Sequence, residues 1–130
     1  MLASPRCSEL ARVAIVEDDA RLRAAYARVL RDGFDTTTAD SAEALLAELD
    51  GGRSFDLVLC DLHLPAMSGL ALFEHLVARA HPVARRFVLM SGTDVFPRAF
   101  SIPMLLKPFD RATLLLAFET LVAVDRPRIH

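Results

Sequence analysis

Two acidic groups and the chain's one lysine stand at the ends of apolar runs. Glu17-Asp18-Asp19 follows Val13-Ala14-Ile15-Val16, Asp61 follows Phe55-Asp56-Leu57-Val58-Leu59-Cys60, and Lys107 follows Met104-Leu105-Leu106. A carboxylate where a buried strand meets a loop is placed for reaction more than for packing. If Asp18, Asp61 and nearby Glu17 share one crevice, like charges raise one another's pKa unless a cation lies between them. A divalent metal is the economical cation, and an incomplete set of hard oxygens with room for water suits Mg²⁺ better than zinc. Lys107 supplies a compact positive charge, Ser91 a hydroxyl, and Gly92 a backbone N–H with no side chain in the way. Such a set can hold a tetrahedral dianion. With a carboxylate as nucleophile, the natural chemistry is phosphoryl transfer to Asp61, forming an acyl phosphate.

The elements that must position these groups are legible as short apolar runs alternating with segments of helical period, the α/β pattern. Strands are expected at about Arg12 to Val16, Phe34 to Ala39, Phe55 to Cys60, Phe87 to Met90 and Met104 to Leu106. Between the first two, Leu22, Ala25, Tyr26, Val29 and Leu30 would line one helix face until Gly33 stops it. Asp40 or Ser41 would cap a second helix with Leu45, Leu46 and Leu49 inward. Gly69 would open a third with Leu70, Phe73, Leu76, Val77 and Ala80 on one side, closed by Pro82. Asp110 would cap a last helix carrying Leu114, Phe118, Leu121 and Val122. Runs one, three and four are apolar on both faces, as in a parallel sheet covered on both sides. Ligands of such sheets bind outside the carboxyl ends of the strands, where the charged groups fall.

At 130 residues and 53% hydrophobic, the chain can bury one core without a metal or disulfide staple. It is read as one domain over 1–130, with a core of about 11–123. Net charge is −2 and the basic residues are scattered, so neither nucleic acid nor an anionic membrane is an expected direct partner. No apolar stretch approaches a membrane span and the N-terminus lacks a signal-peptide profile, so a cytoplasmic location is expected. Cys7 and Cys60 form no disulfide or metal motif, and Cys60 reads as a buried structural thiol. His75 and His81 read as surface residues and His130 as tail.

Together, Val16-Glu17-Asp18, the segment from Asp61 through Leu62-His63-Leu64-Pro65 to Gly69-Leu70, Met90-Ser91-Gly92 and Lys107-Pro108-Phe109 resemble the receiver domains of two-component response regulators. Four motifs in order at four strand ends, over about Arg12 to Val122, make the resemblance specific. It implies a flavodoxin-like doubly wound (βα)5 fold with strand order 2-1-3-4-5. It implies that Asp61 accepts phosphate from a histidine kinase or a histidine phosphotransfer protein, for an output protein downstream. Asp18, Asp61 and the backbone carbonyl of His63 would bind Mg²⁺, with Glu17 acting through water. Ser91, Lys107 and the backbone N–H groups of His63 and Gly92 would contact the phosphoryl group, beside which the His63 side chain would stand. The resemblance also implies a cis Lys107–Pro108 bond.

Two departures stand out. Met104 occupies the place three before the lysine where the family carries an aromatic ring, and the stretch from Ser91 to Lys107, containing Pro97 and Pro103, is short for a crossover. The fourth helix is therefore expected to be absent or reduced to a turn near Asp94 to Ala99. The chain is read as a phosphoacceptor that assists its own phosphoryl transfer and dephosphorylation, not as an enzyme. Alternatives are an interaction module working without phosphorylation, or the receiver part of a hybrid histidine kinase. An aspartyl phosphatase would need an acid where His63 stands, and a flavodoxin-like cofactor protein would need a neutral first loop.

Overall fold

The computed structural model describes residues 10–92 and 102–125, with side chains to Leu121. Its elements are β1 (Ala11–Val16), α1 (Ala20–Leu30), β2 (Phe34–Ala39), α2 (Ala42–Asp50), β3 (Leu57–Asp61), α3 (Gly69–Ala78), a 3-10 turn (Pro82–Arg86), β4 (Phe87–Ser91), β5 (Met104–Leu106) and α4 (Arg111–Asp125). The sheet is parallel with order β2-β1-β3-β4-β5, the flavodoxin-like order. The expectation of a missing or shortened fourth helix falls on residues 93–101, outside the described residues.

β3 and β4 are buried along their whole length, and β1 from Val13 onward. Alternate residues of a strand face opposite sides. Ala14, Val16, Val58, Cys60, Phe87 and Leu89 pack with α2 and α3 on one face. Val13, Ile15, Leu57, Leu59, Val88 and Met90 pack with Leu30 of α1 and with Leu114, Phe118 and Leu121 of α4 on the other. β2 and β5 are the edges; β2, threonine-rich, buries only Ala39.

Helix starts follow their capping residues. Asp19 accepts from the Arg21 and Leu22 N–H groups, Ser41 rather than Asp40 from Ala44, Ser68 from Ala71, and Asp110 from Thr113. Helix faces depart from the periodicity reading in two places. α1 buries Leu30 alone, leaving Leu22 and Val29 exposed, because it lies over β1 and the edge strand β2, where the sheet runs out. α3 buries Gly69, Leu72 and Leu76, with Leu70 and Phe73 half-buried and Val77 exposed, while Ala80 lies exposed beyond its end. Gly69 sets that rotation: a Cβ there would collide with the Asp61 carbonyl oxygen and come within 2.9 Å of Leu89 Cδ2. Pro82 does not close α3, which ends at Ala78; it begins the 3-10 turn, capped by half-buried His81, whose Nδ1 accepts from Val83 N–H. His75 is exposed, as read, but His81 has this local structural role. No helix among the described residues is long and apolar enough to cross a membrane.

Candidate functional site

The parallel register brings the ends of β1, β3, β4 and β5 to one edge of the sheet. Glu17 follows β1 and is tied to β2 by its N–H, which donates to the Ala39 carbonyl at 3.1 Å. Asp61 is the last residue of β3 and Ser91 the last of β4. The Leu62 N–H donates to the Met90 carbonyl and the Lys107 N–H to the Ser91 carbonyl, both at 2.7 Å, so the strand ends are laced together beyond the regular ladder. The buried polar side chains among the described residues are Glu17, Asp61 and Ser91. All three belong to the set singled out from sequence. Burying them away from this edge would leave charge without compensation.

Lys107 holds the edge together electrostatically. Its Nζ donates to Glu17 Oε1 at 2.9 Å and to Asp61 Oδ2 at 3.2 Å. The Lys107–Pro108 peptide bond is cis. The other Asp61 oxygen, Oδ1, accepts the His63 backbone N–H at 3.1 Å, the donor that the resemblance assigns to the phosphoryl group. Glu17 Oε2 accepts the Asp19 N–H at 3.2 Å. Asp18 is exposed but offers a carboxylate oxygen within 4.8 Å of oxygens from Glu17 and Asp61. These donors are hard oxygens without nitrogen or sulfur, too few to fill an octahedral shell without water, which fits Mg²⁺.

Burial pushes the Glu17 carboxyl above its ordinary value; the Lys107 hydrogen bond and the Asp19 N–H oppose the shift and the Asp61 charge adds to it. For Lys107, burial alone would lower the pKa, but the hydrogen bond it donates to Glu17 and the charges of Asp61 and Glu17 outweigh it and raise the value. The Cys60 thiol, buried behind Asp61, is pushed well up by burial and by the Asp61 and Glu17 charges. It is a free thiol, buried in the core.

His63 is exposed, and its Nε2 stands 3.4 Å from the Ser91 hydroxyl, spanning the loops after β3 and β4. Gly92 is exposed at the end of the described segment, with no described atom within 4 Å of where a Cβ would stand. Every site residue expected from sequence thus lies at one edge. Two neighbours were not expected there. Arg23 Nη1 donates to the Glu17 carbonyl at 2.8 Å and reaches the Asp18 carbonyl at 3.5 Å, pinning the acidic loop from α1. Tyr26 lies close enough to Lys107, Glu17 and Asp61 for its hydroxyl to feel their charges; its pKa is raised chiefly by burial. The only available signal for either was helical spacing from Asp19, which points equally to ordinary surface or core positions.

The family model for the response regulator receiver domain matches residues 13–119. The transcriptional regulatory protein FixJ of Bradyrhizobium diazoefficiens is 28% identical over 120 residues, covering 87% of this chain and 57% of FixJ. The transcriptional activator protein PfeR of Pseudomonas aeruginosa is 46% identical over 67 residues, covering 50% of this chain and 21% of PfeR. The chain therefore spans between about a fifth and three fifths of these relatives' lengths. Among solved structures, a CheY-like receiver domain from Methylobacillus flagellatus superposes with TM-score 0.73 at 32% identity, covering 87% of this chain and 99% of that one. TrrA from Thermotoga maritima, solved in complex with Mg²⁺-BeF, shares the fold with TM-score 0.75 at 21% identity, over 86% of this chain and 99% of its own. From motifs, topology and matched length alike, the chain belongs to the response regulator receiver domain family.

Proposed function

We infer that this chain is a phosphoacceptor in two-component signalling, phosphorylated on Asp61 by a histidine kinase or histidine phosphotransfer protein, with a downstream output protein reading the result. The observation that carries the reading is the position of Lys107 Nζ, bonded at once to Glu17 and Asp61 beside the Asp18 carboxylate. That arrangement is costly as mere structure and useful for a dianion arriving at Asp61. An interaction module working without phosphorylation would have no need to bury Glu17, Asp61 and Ser91 together.

In this reading an Asp61 carboxylate oxygen attacks the phosphorus of a phosphohistidine. An O–P bond forms, the N–P bond breaks, and its electron pair stays with the departing imidazole, which takes up a proton. Asp18, Asp61 and the His63 carbonyl would hold Mg²⁺, with Glu17 acting through water; the ion supplies charge neutralisation of the phosphoryl oxygens. Lys107 pairs with one phosphoryl oxygen as a point charge, and the Ser91 hydroxyl and the His63 and Gly92 N–H groups donate to the others. Hydrolysis of the acyl phosphate regenerates Asp61, so the chain assists its own loading and unloading and turns over no external substrate.

Asp61→Asn tests the assignment. The substitution keeps volume and removes the anionic nucleophile, so the variant should fold while labelling by acetyl phosphate or a kinase, followed by intact mass, disappears. Undiminished acyl-phosphate labelling of the Asn variant would move the acceptor elsewhere.

A further inference from the structure

Position 104, where the family's aromatic ring is expected, holds a half-buried methionine packed toward the α2–α3 side of the sheet. On the opposite side, the ring two residues beyond Lys107 meets a second ring. Tyr26 of α1 stacks on Phe109 with centroids 5.5 Å apart and planes 13° from parallel, and both rings pack against the core beneath α1 and α4. Phe109 is two residues beyond Lys107, and Tyr26 faces the charged cluster that Lys107 serves. A movement of the Lys107 backbone therefore has a ring stack directly in its path, while the methionine is unbranched and can absorb displacement without passing it on.

We propose that Tyr26 is a positioning residue: by stacking on Phe109 it fixes the turn that aims Lys107 at Asp61, and it carries a change in Lys107 to the α1–α4 face. The inference rests on the phosphoacceptor reading. In the unmodified protein Lys107 divides its hydrogen bonds between Glu17 and Asp61. Once Asp61 bears a phosphoryl group, the best partner for the ammonium is a phosphoryl oxygen farther out from the strand end. Lys107 then leaves Glu17, the turn through Phe109 follows, and the stack opens or slides. The output surface of this chain would then include α1 and the start of α4.

The sequence provides its own probe, because Tyr26 is the single tyrosine and there is no tryptophan. Tyrosine emission and acrylamide quenching report this one ring. Beryllofluoride with Mg²⁺ serves as the phosphoryl mimic, and its occupancy is read independently by ¹⁹F NMR. Bound beryllofluoride with altered Tyr26 emission, the change being lost in Phe109→Leu while ¹⁹F still shows occupancy, is the expected result. Bound beryllofluoride with unaltered emission would overturn the inference and leave the phosphoacceptor reading standing. No beryllofluoride binding and no acetyl phosphate labelling would overturn both. Rates supply a second arm: Tyr26→Leu should slow labelling by acetyl phosphate about threefold to tenfold, the worth of one aromatic pair. Tyr26→Phe, which keeps the stack, should restore it to within about twofold of wild type by the same reasoning; a Phe variant as slow as Leu would show that the stack does not position Lys107.

Discussion

At the scale of single residues, the site is an arrangement of charges that fold together only because they share a cation. Glu17 is 1% exposed and the Asp61 and Lys107 side chains 9% and 17%, so replacing Lys107 leaves two carboxylates facing one another in a poorly solvated edge. The Glu17 carboxyl already sits above its ordinary 4.5. A carboxyl with a raised folded pKa favours the fold below the unfolded value and loses that contribution as pH climbs through the folded one. Lys107→Met should raise the carboxyl pKa further, so its stability deficit should widen between pH 4 and pH 8. A loss of about 1–3 kcal/mol near neutral pH is expected, and urea unfolding of both proteins across that range measures it. A deficit independent of pH would mean that Lys107 contributes packing rather than charge. Lys107 itself, with its pKa raised above 10.5, favours the fold below that value and loses its contribution above the raised one.

At the scale of elements, two helix starts set how the site is framed. Gly69 lets α3 begin against the end of β3, so that the helix packs directly behind the nucleophile. Gly69→Ala would drive a methyl group into the Asp61 carbonyl and Leu89, and a loss of about 1–3 kcal/mol is expected from overpacking. Thermal unfolding should record that loss, accompanied by slower labelling of Asp61 as its backbone shifts. An Ala variant as stable as wild type would show that the α3 start yields easily. At α4, the Asp110 carboxyl is held below its ordinary 3.8 by the Thr113 N–H and hydroxyl. A lowered carboxyl pKa contributes above the unfolded value and is lost as pH falls through the folded one. Asp110→Ala should therefore be destabilised at pH 5 to 7 and converge with wild type as acid protonates the cap. Chemical denaturation at several pH values decides it. The caps were readable from local chemistry alone, whereas the buried faces of α1 and α3 were not. Their apolar residues are spread around the helix, and only the position of a sheet edge, or a close contact such as Gly69 with Asp61, selects the side that is covered.

For the whole molecule, the acidic edge predicts linkage between cation binding and stability. Any ion that binds the folded cluster and not the unfolded chain stabilises by RT ln(1 + [L]/Kd), about 1.4 kcal/mol at ten times Kd. Mg²⁺ should raise the melting temperature of the wild type, and Asp18→Ala should abolish the rise while folding normally, since Asp18 is exposed. A melting curve equally responsive to Mg²⁺ in the variant would place the ion elsewhere. The α/β class, the five strands and the convergence of Glu17, Asp18, Asp61, Ser91 and Lys107 were determined by the sequence itself. Apolar runs of strand length must be buried, and the topology of a parallel sheet then sends their C-terminal ends to one edge. Only the tertiary structure decided that Lys107 bridges Glu17 and Asp61, that Arg23 pins the acidic loop, that His63 reaches Ser91, and that Tyr26 stacks on Phe109. Apart from the Arg23 contact, which spans six residues, those pairings join residues far apart in the chain, and their distances depend on strand register and helix rotation, which local propensity does not encode.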